Sequence, residues 1–160
     1  MPRKLIIKEA KERAGRFCAF RERSPNEVLE KTISWGISQE ESQKLVAELT
    51  ELNYIDEQRF ANAFCNDKFE FNSWGKVKIK AAIYPHKISE KAIQEAMDRI
   101  DQDKYESRLF ELAKKKWEKH SKEELIKRKQ KTVAYLANKG FEIDLIWRMI
   151  GRLESDKGQK

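Results

Sequence analysis

Residues 24–53 read SPNEVLEKTISWGISQEESQKLVAELTELN, and this stretch carries two helix starts and one helix stop. Ser24 precedes Pro25 and Glu27. Its oxygen can accept from the third amide of a new helix, proline is tolerated in the first turn, and the glutamate reaches back to the serine amide. Trp35-Gly36 ends that helix, because glycine takes the left-handed cap conformation at no steric cost. Ser38 with Glu41 opens the next helix, whose Leu45, Val46, Leu49 and Leu52 recur at helical spacing.

The same periodicity runs outward in both directions, with no sustained alternation of the kind a half-buried strand shows. Nine helices are expected. The first spans about residues 5–21 and buries Ala10, Ala14, Phe17 and Cys18. The fourth starts at Asp56 as N-cap and turns Phe60, Ala63, Phe64 and Phe71 inward. Ser73-Trp74-Gly75 breaks it. A helix from Lys76 to Tyr84 stops at Pro85, and a Ser89-capped helix runs to Ile100. Asp103 is expected to cap the seventh helix and Ser121 with Glu124 to box the eighth, which Gly140 ends. The last helix covers about 143–153.

Aligning the turn before each third helix exposes a repeat. Ile37-Ser38, Ile88-Ser89 and Phe141-Glu142 lie 51 and 53 residues apart. Eight, nine and twelve positions after each anchor come Leu45, Val46 and Leu49, then Ala96, Met97 and Ile100, then Met149, Ile150 and Leu153. The expected fold is all-α: three tandem three-helix, helix-turn-helix-like repeats over 1–53, 54–101 and 102–153, with a frayed tail at 154–160. A unit of that size buries too little surface to stand alone, so the repeats are expected to stack into an elongated, curved body.

Composition narrows the function. The 160 residues include 34 Lys and Arg against 27 Asp and Glu, a formal charge of +7. Eight Phe and four Trp argue for a packed chain rather than a disordered one. Apolar runs are far short of the roughly 20 residues that span a bilayer, and residues 1–14 lack the apolar core of a signal peptide, so a cytoplasmic location is expected. Cys18 and Cys65 sit on apolar helical stripes and read as reduced core thiols. His86 and His120 lie at no metal-ligand spacing, and no phosphate-cradling glycine loop or nucleophile elbow occurs. The expectation is a protein that is not an enzyme and takes neither cofactor nor metal.

Charge is unevenly spread. Residues 1–31 hold nine basic and five acidic groups, 38–70 hold three and eight, and 104–140 hold twelve and five. Two basic clusters are candidate DNA contacts. Lys76, Lys78 and Lys80 follow Trp74, though a merely solubilised helix face explains them somewhat better. Lys114, Lys115, Lys116 and Lys119 with Lys127, Arg128, Lys129 and Lys131 form the stronger patch, suited to weak, salt-sensitive, sequence-independent phosphate contact. Trp35, Trp74, Trp117, Tyr135 and Trp147 have the spacing of packing residues more than of base-stacking ones. Glu40, Glu41, Glu48 and Glu51 lie where a solvated helical face would put them.

The segment Leu49-Thr-Glu-Leu-Asn-Tyr-Ile-Asp-Glu-Gln-Arg-Phe-Ala-Asn-Ala-Phe64 resembles the most characteristic stretch of the RecX family. Three further matches agree in order and spacing: Arg23-Ser24 with Glu27 to Leu29 ahead of Gly36-Ile37, Trp74-Gly75-Lys76 with Ile79, and Ala134 to Phe141. Together they cover about residues 15–153. The resemblance implies a regulator that binds a RecA recombinase filament on single- or double-stranded DNA and restrains its ATPase and strand exchange. Nothing in the sequence demands a dimer, so a monomer is expected, and the short apolar runs give no reason to expect membrane contact. In that setting Glu40, Glu41, Glu48, Glu51, Asp56 and Glu57 are candidate contacts to RecA. Two positions depart from the family pattern: Pro85-His86-Lys87-Ile88 lacks the glycine usual in that turn, and Trp35 replaces a usual basic residue. The competing readings are a stand-alone nucleic-acid-binding helical protein without sequence preference and a helical scaffold for other proteins.

Overall fold

The computed structural model describes residues 6–157. Its helices are α1 (Ile7–Phe20), α2 (Pro25–Ser34), α3 (Gln39–Glu51), α4 (Glu57–Asn72), α5 (Lys76–Ile83), α6 (Glu90–Asp98), α7 (Gln102–Lys119), α8 (Leu125–Asn138) and α9 (Ile143–Lys157), with one 3-10 turn at Tyr84–His86. Among the described residues there is no strand. The chain divides into two compact units. One holds the residues up to Phe64 with Ile83–Ala96, and the other holds Cys65–Ala82 with the residues from Met97 onward.

In the first unit α1, α2 and α3 pack on one another around Ala10, Ala14, Val28, Ile37, Leu45, Leu49 and Ile55. Ser24 accepts from the Glu27 amide at 3.0 Å while Glu27 accepts from the Ser24 amide at 3.1 Å, the reciprocal cap that the sequence announces. His86 packs its ring on Phe60 and Phe64 at 5.0 and 5.4 Å, and Glu57 accepts from the Ser89 amide at 2.6 Å.

In the second unit α7, α8 and α9 pack mutually, and a run of rings from Phe69 through Tyr105 to Phe141 crosses the core at 5.6 and 5.3 Å. The buried Tyr105 hydroxyl donates to Glu142 and accepts from the Lys76 amide at 2.9 Å, so the start of α5 is tied to α7 and α9. Two turns meet here: the Gly75 amide donates to the Lys139 carbonyl at 2.8 Å and the Val77 amide to the Gly140 carbonyl at 3.0 Å. A Cβ on Gly75 would fall 2.3 Å from the Gly140 carbonyl carbon, and one on Gly140 2.2 Å from the Lys78 Cβ. Only glycines permit that approach.

The repeat is visible in the backbone. The residue before each anchor has positive φ: Gly36 at 94°, Lys87 at 57° and Gly140 at 95°. Eight of the nine stripe residues named from the sequence are buried and Val46 is half-buried. The correspondence extends upstream, since Thr32, Ile83 and Leu136, four residues before those turns, are all fully buried, as are Val28, Ile79 and Thr132, eight before. Lys87 fills the turn that lacks its family glycine, in a conformation that costs a side chain about 1 kcal/mol.

Several local expectations change. Asp101, not Asp103, caps α7, accepting from the Lys104 amide at 3.2 Å. The Ser121–Glu124 box does not form: Glu124 occupies the N-cap of α8 without a side-chain bond, and the Ser121 amide still closes the end of α7 on Glu118. Phe71 is 82% exposed, because the inward face of α4 runs through Phe60, Ala61, Cys65 and Phe69, and Leu52, at the C-cap of α3, is also exposed. Residues 154–157, expected to fray, continue α9, whereas 158–160 and the expected start of α1 at Leu5 lie outside the described residues. Both cysteines are free and buried, and burial pushes the Cys65 thiol up to about 11.

Replacing Gly140 with Ala is expected to cost about 2–4 kcal/mol, from strain and overpacking together. Lys87→Gly should instead gain about 0.5–1 kcal/mol, since the left-handed turn stays and the steric penalty goes. Urea denaturation of the two variants, with opposite shifts in midpoint, checks both.

Candidate nucleic-acid interface

Every expected DNA-contacting residue falls in the second compact unit, but the structure sorts the cations into groups that sequence spacing does not show. Lys76 and Lys78, two apart on α5, part company. The Lys76 ammonium lies over the Tyr105 ring at 4.9 Å, whereas that of Lys78 lies over Trp74 at 4.5 Å. Lys80 is exposed.

Around half-buried Trp74 the structure adds two lysines that the sequence reading passed over. Lys68, one turn back on α4, places its ammonium 5.0 Å from the Trp74 ring. Lys139, at the end of α8, donates to the Asn72 carbonyl at 2.8 Å. Burial, then the nearby Lys78 charge, hold the Lys139 ammonium below its usual value. Only the docking of the Gly75 turn on the Gly140 turn assembles this cluster, and no local pattern in the sequence announces it.

Along α7 and α8 the expected patch divides three ways. Lys114, Lys115, Lys119 and Lys127 are exposed, and none has a carboxylate within 4 Å among the described residues. Lys116 lies over the Tyr135 ring at 4.6 Å. Lys129 pairs with Glu154 at 3.0 Å, and Lys131 pairs with Glu123, whose carboxyl that bond holds below its usual range. Lys104 and Arg108, in the same basic stretch, are both taken by Glu70, at 2.6 and 3.4 Å.

Arg128 does not belong to the exposed patch. It is 5% exposed, its Nε donates to the Trp117 carbonyl at 2.8 Å, and its guanidinium carbon lies 3.9 Å from the Trp117 ring centroid. The helical phase of α8 carries it inward with Thr132 and Leu136, while Lys127 stays outside. Of the aromatic residues, Trp117 is buried as expected, but Trp147 is 47% exposed.

The acidic candidates lie in the first unit and also separate. Asp56 caps α4, accepting from the Arg59 amide at 3.0 Å, and Glu57 is committed to Ser89. Glu48 pairs with Lys11 at 2.5 Å and Glu40 with Lys44 at 3.8 Å. Glu41 and Glu51 are exposed. No group of three or more His, Cys, Asp or Glu among the described residues is arranged to hold a metal ion. No described helix is long and apolar enough to cross a membrane.

The chain is similar to proteins of the RecX family. Residues 56–97 match the family model "RecX, second three-helix domain" and residues 103–150 match "RecX, third three-helix domain". A regulatory protein RecX of Stenotrophomonas maltophilia is 30% identical over 128 residues, which cover 80% of this chain and 77% of that one. This chain belongs to the RecX family. A regulatory protein RecX of Clostridioides difficile is 29% identical over 146 residues, 91% of this chain and 68% of the relative. The crystal structure of RecX from Lactobacillus salivarius superposes with a TM-score of 0.86 at 20% identity, covering 92% of this chain and 96% of that one. At that identity the superposition speaks for the fold, and an all-α assembly of three-helix repeats is the RecX fold.

Exposed Lys127 and buried Arg128, adjacent in sequence, should respond differently to charge reversal. Lys127→Glu is expected to leave stability within about 0.5 kcal/mol. Arg128→Glu should cost about 3 kcal/mol or more, since it buries a carboxylate against Trp117 with no cation. Thermal melts followed by circular dichroism separate the two.

Proposed function

We propose that this chain is a non-enzymatic regulator that binds a RecA recombinase filament on DNA and mainly restrains its ATPase and strand exchange. The observation that carries this reading is membership of a family of regulatory proteins, combined with a second unit in which Lys114, Lys115, Lys119 and Lys127 are exposed with no carboxylate within 4 Å among the described residues. In this reading the protein acts in the cytoplasm as a monomer, with residues 1–53, 54–101 and 102–153 as its three repeating units.

Lys115, Lys119 and Lys127, with Lys78, Lys80 and Lys139, supply sequence-independent phosphate contact, whose strength falls with salt as bound counterions are released. Glu41 and Glu51 are the acidic groups that remain available for a basic protein surface, with Glu40 beside them in an exposed pair with Lys44. Asp56 and Glu57 are occupied by caps and serve the fold.

The host recombinase should lose most of its ATPase activity on single-stranded DNA when this protein is added well below one copy per recombinase monomer. An unchanged rate, with the recombinase active and this protein folded, would transfer the reading to a stand-alone nucleic-acid binder. In a separate measurement, Lys115→Glu, Lys119→Glu and Lys127→Glu combined should weaken oligonucleotide binding about tenfold at low salt and flatten its dependence on salt. An unaltered salt slope sinks the lysine assignment.

A further inference from the structure

Arg128 is a charged side chain, 5% exposed, whose guanidinium lies on the Trp117 ring. Its Nε is satisfied by the Trp117 carbonyl, but no carboxylate oxygen lies within 4 Å of its guanidinium among the described residues. Glu118 acts on it only at longer range. A guanidinium carries five donors, and among the described residues only the Nε–H of this one has a protein acceptor.

The repeat gives a reason to look beyond packing. In the register set by Gly36, Lys87 and Gly140, the positions equivalent to Arg128 are Ser24 and Gly75, both buried and both small. The three-helix unit therefore closes without a long cation at this point, and the third repeat has one. Arg128 also forms part of the wall of an open groove of about 700 Å³, with Lys114, Trp117, Ser121, Leu153 and the acidic pair Glu118 and Asp156. That volume accommodates a few side chains of a bound segment.

The geometry points to this groove as a docking site for a segment of a partner protein that carries one Asp or Glu between apolar or basic neighbours, its carboxylate taking the guanidinium of Arg128 as a fork-to-fork pair. The mixed charge of the lining selects a segment with a single carboxylate over a nucleic-acid strand. Two cations and two carboxylates share the lining with Trp117 and Leu153. A phosphodiester backbone, charged at every residue, would meet Glu118 and Asp156 unfavourably, whereas a peptide places one carboxylate on Arg128 and an apolar or basic neighbour beside it. The inference rests on the recombinase reading only for the identity of the protein that supplies the segment.

The test uses the full chain labelled with 15N and follows the Arg128 Nε–H resonance, which its hydrogen bond and burial protect from exchange. One probe is an acetylated, amidated octapeptide with a single central Glu among Leu, Ser and Lys, and the other is a 15-nucleotide oligothymidylate at the same ionic strength. The peptide should shift the Arg128 resonance saturably, and the oligonucleotide should leave it in place. Lys114→Gln at the exposed mouth, and Arg128→Lys, which keeps the charge but loses the fork, should each weaken the peptide about fivefold. Lys114→Gln changes only a solvated side chain, so the result does not depend on Arg128→Lys folding. A shift caused by the oligonucleotide and not the peptide would identify the ligand as phosphate and overturn the inference. No shift with either probe, or peptide affinity indifferent to both substitutions, would make Arg128 a packing residue. These readouts contain no recombinase, so they stand or fall independently of the ATPase titration.

Discussion

The amide of Ile37 reaches back to the Thr32 carbonyl at 3.2 Å, and the amide of Phe141 reaches the Leu136 carbonyl at the same distance. Each bond spans five residues and closes only because the intervening Gly36 or Gly140 adopts a left-handed conformation. This turn stops one helix, drives the anchor side chain inward and aims the next helix so that its apolar stripe meets the same core. Ile37, Ile88 and Phe141 are consequently buried in all three repeats. Lys87 reaches the same backbone region without being glycine, so at this point the turn geometry outweighs the cost of a side chain there.

Glycine does a second job in the second unit, where it sets the distance between turns. With Gly75 against Gly140, the amides of residues 75 and 77 find carbonyl partners on the α8–α9 turn. The Tyr105 hydroxyl, held between Glu142 and the Lys76 amide, fixes the same junction from the α7 side, and burial with the bond to Glu142 keeps its proton on at any ordinary pH. Lysines from α4, α5 and α8 converge around Trp74 as a consequence of this contact. The candidate interface is thus built on a backbone approach, and its charges are passengers on that scaffold.

Within the basic region, partner geometry matters more than the number of charges. Lys129 and Lys131 look equivalent to Lys127 in the sequence, yet they are neutralised by Glu154 and Glu123, the first brought close by α9 and the second by the turn ahead of α8. Lys104 and Arg108 share Glu70 across α4 and α7. What remains unpaired is a smaller and better defined set, and long-range contact with a polyanion depends on that remainder.

Helix number and type, the turns at Gly36 and Gly140, the Ser24 cap and the threefold stripe were all determined by the sequence alone, because each depends on residues within a few positions of one another. The smaller differences are also local: Asp101 and Asp103 are both acceptable caps, and Phe69 and Phe71, two residues and about half a turn apart, face opposite sides of α4. The upstream half of the repeat escaped notice because Thr32 and Thr132 stand where Ile83 and Ile79 stand elsewhere. A buried threonine that donates its hydroxyl to its own helix packs like an aliphatic residue. Only the tertiary structure decided that Arg128 faces inward beside outward Lys127, that Lys139 reaches the Asn72 carbonyl, and that Glu57 is committed to Ser89. The reason is physical: a charged side chain's partner is chosen by which helices pack together, and residues 70 positions apart carry no mark of it in the linear chain.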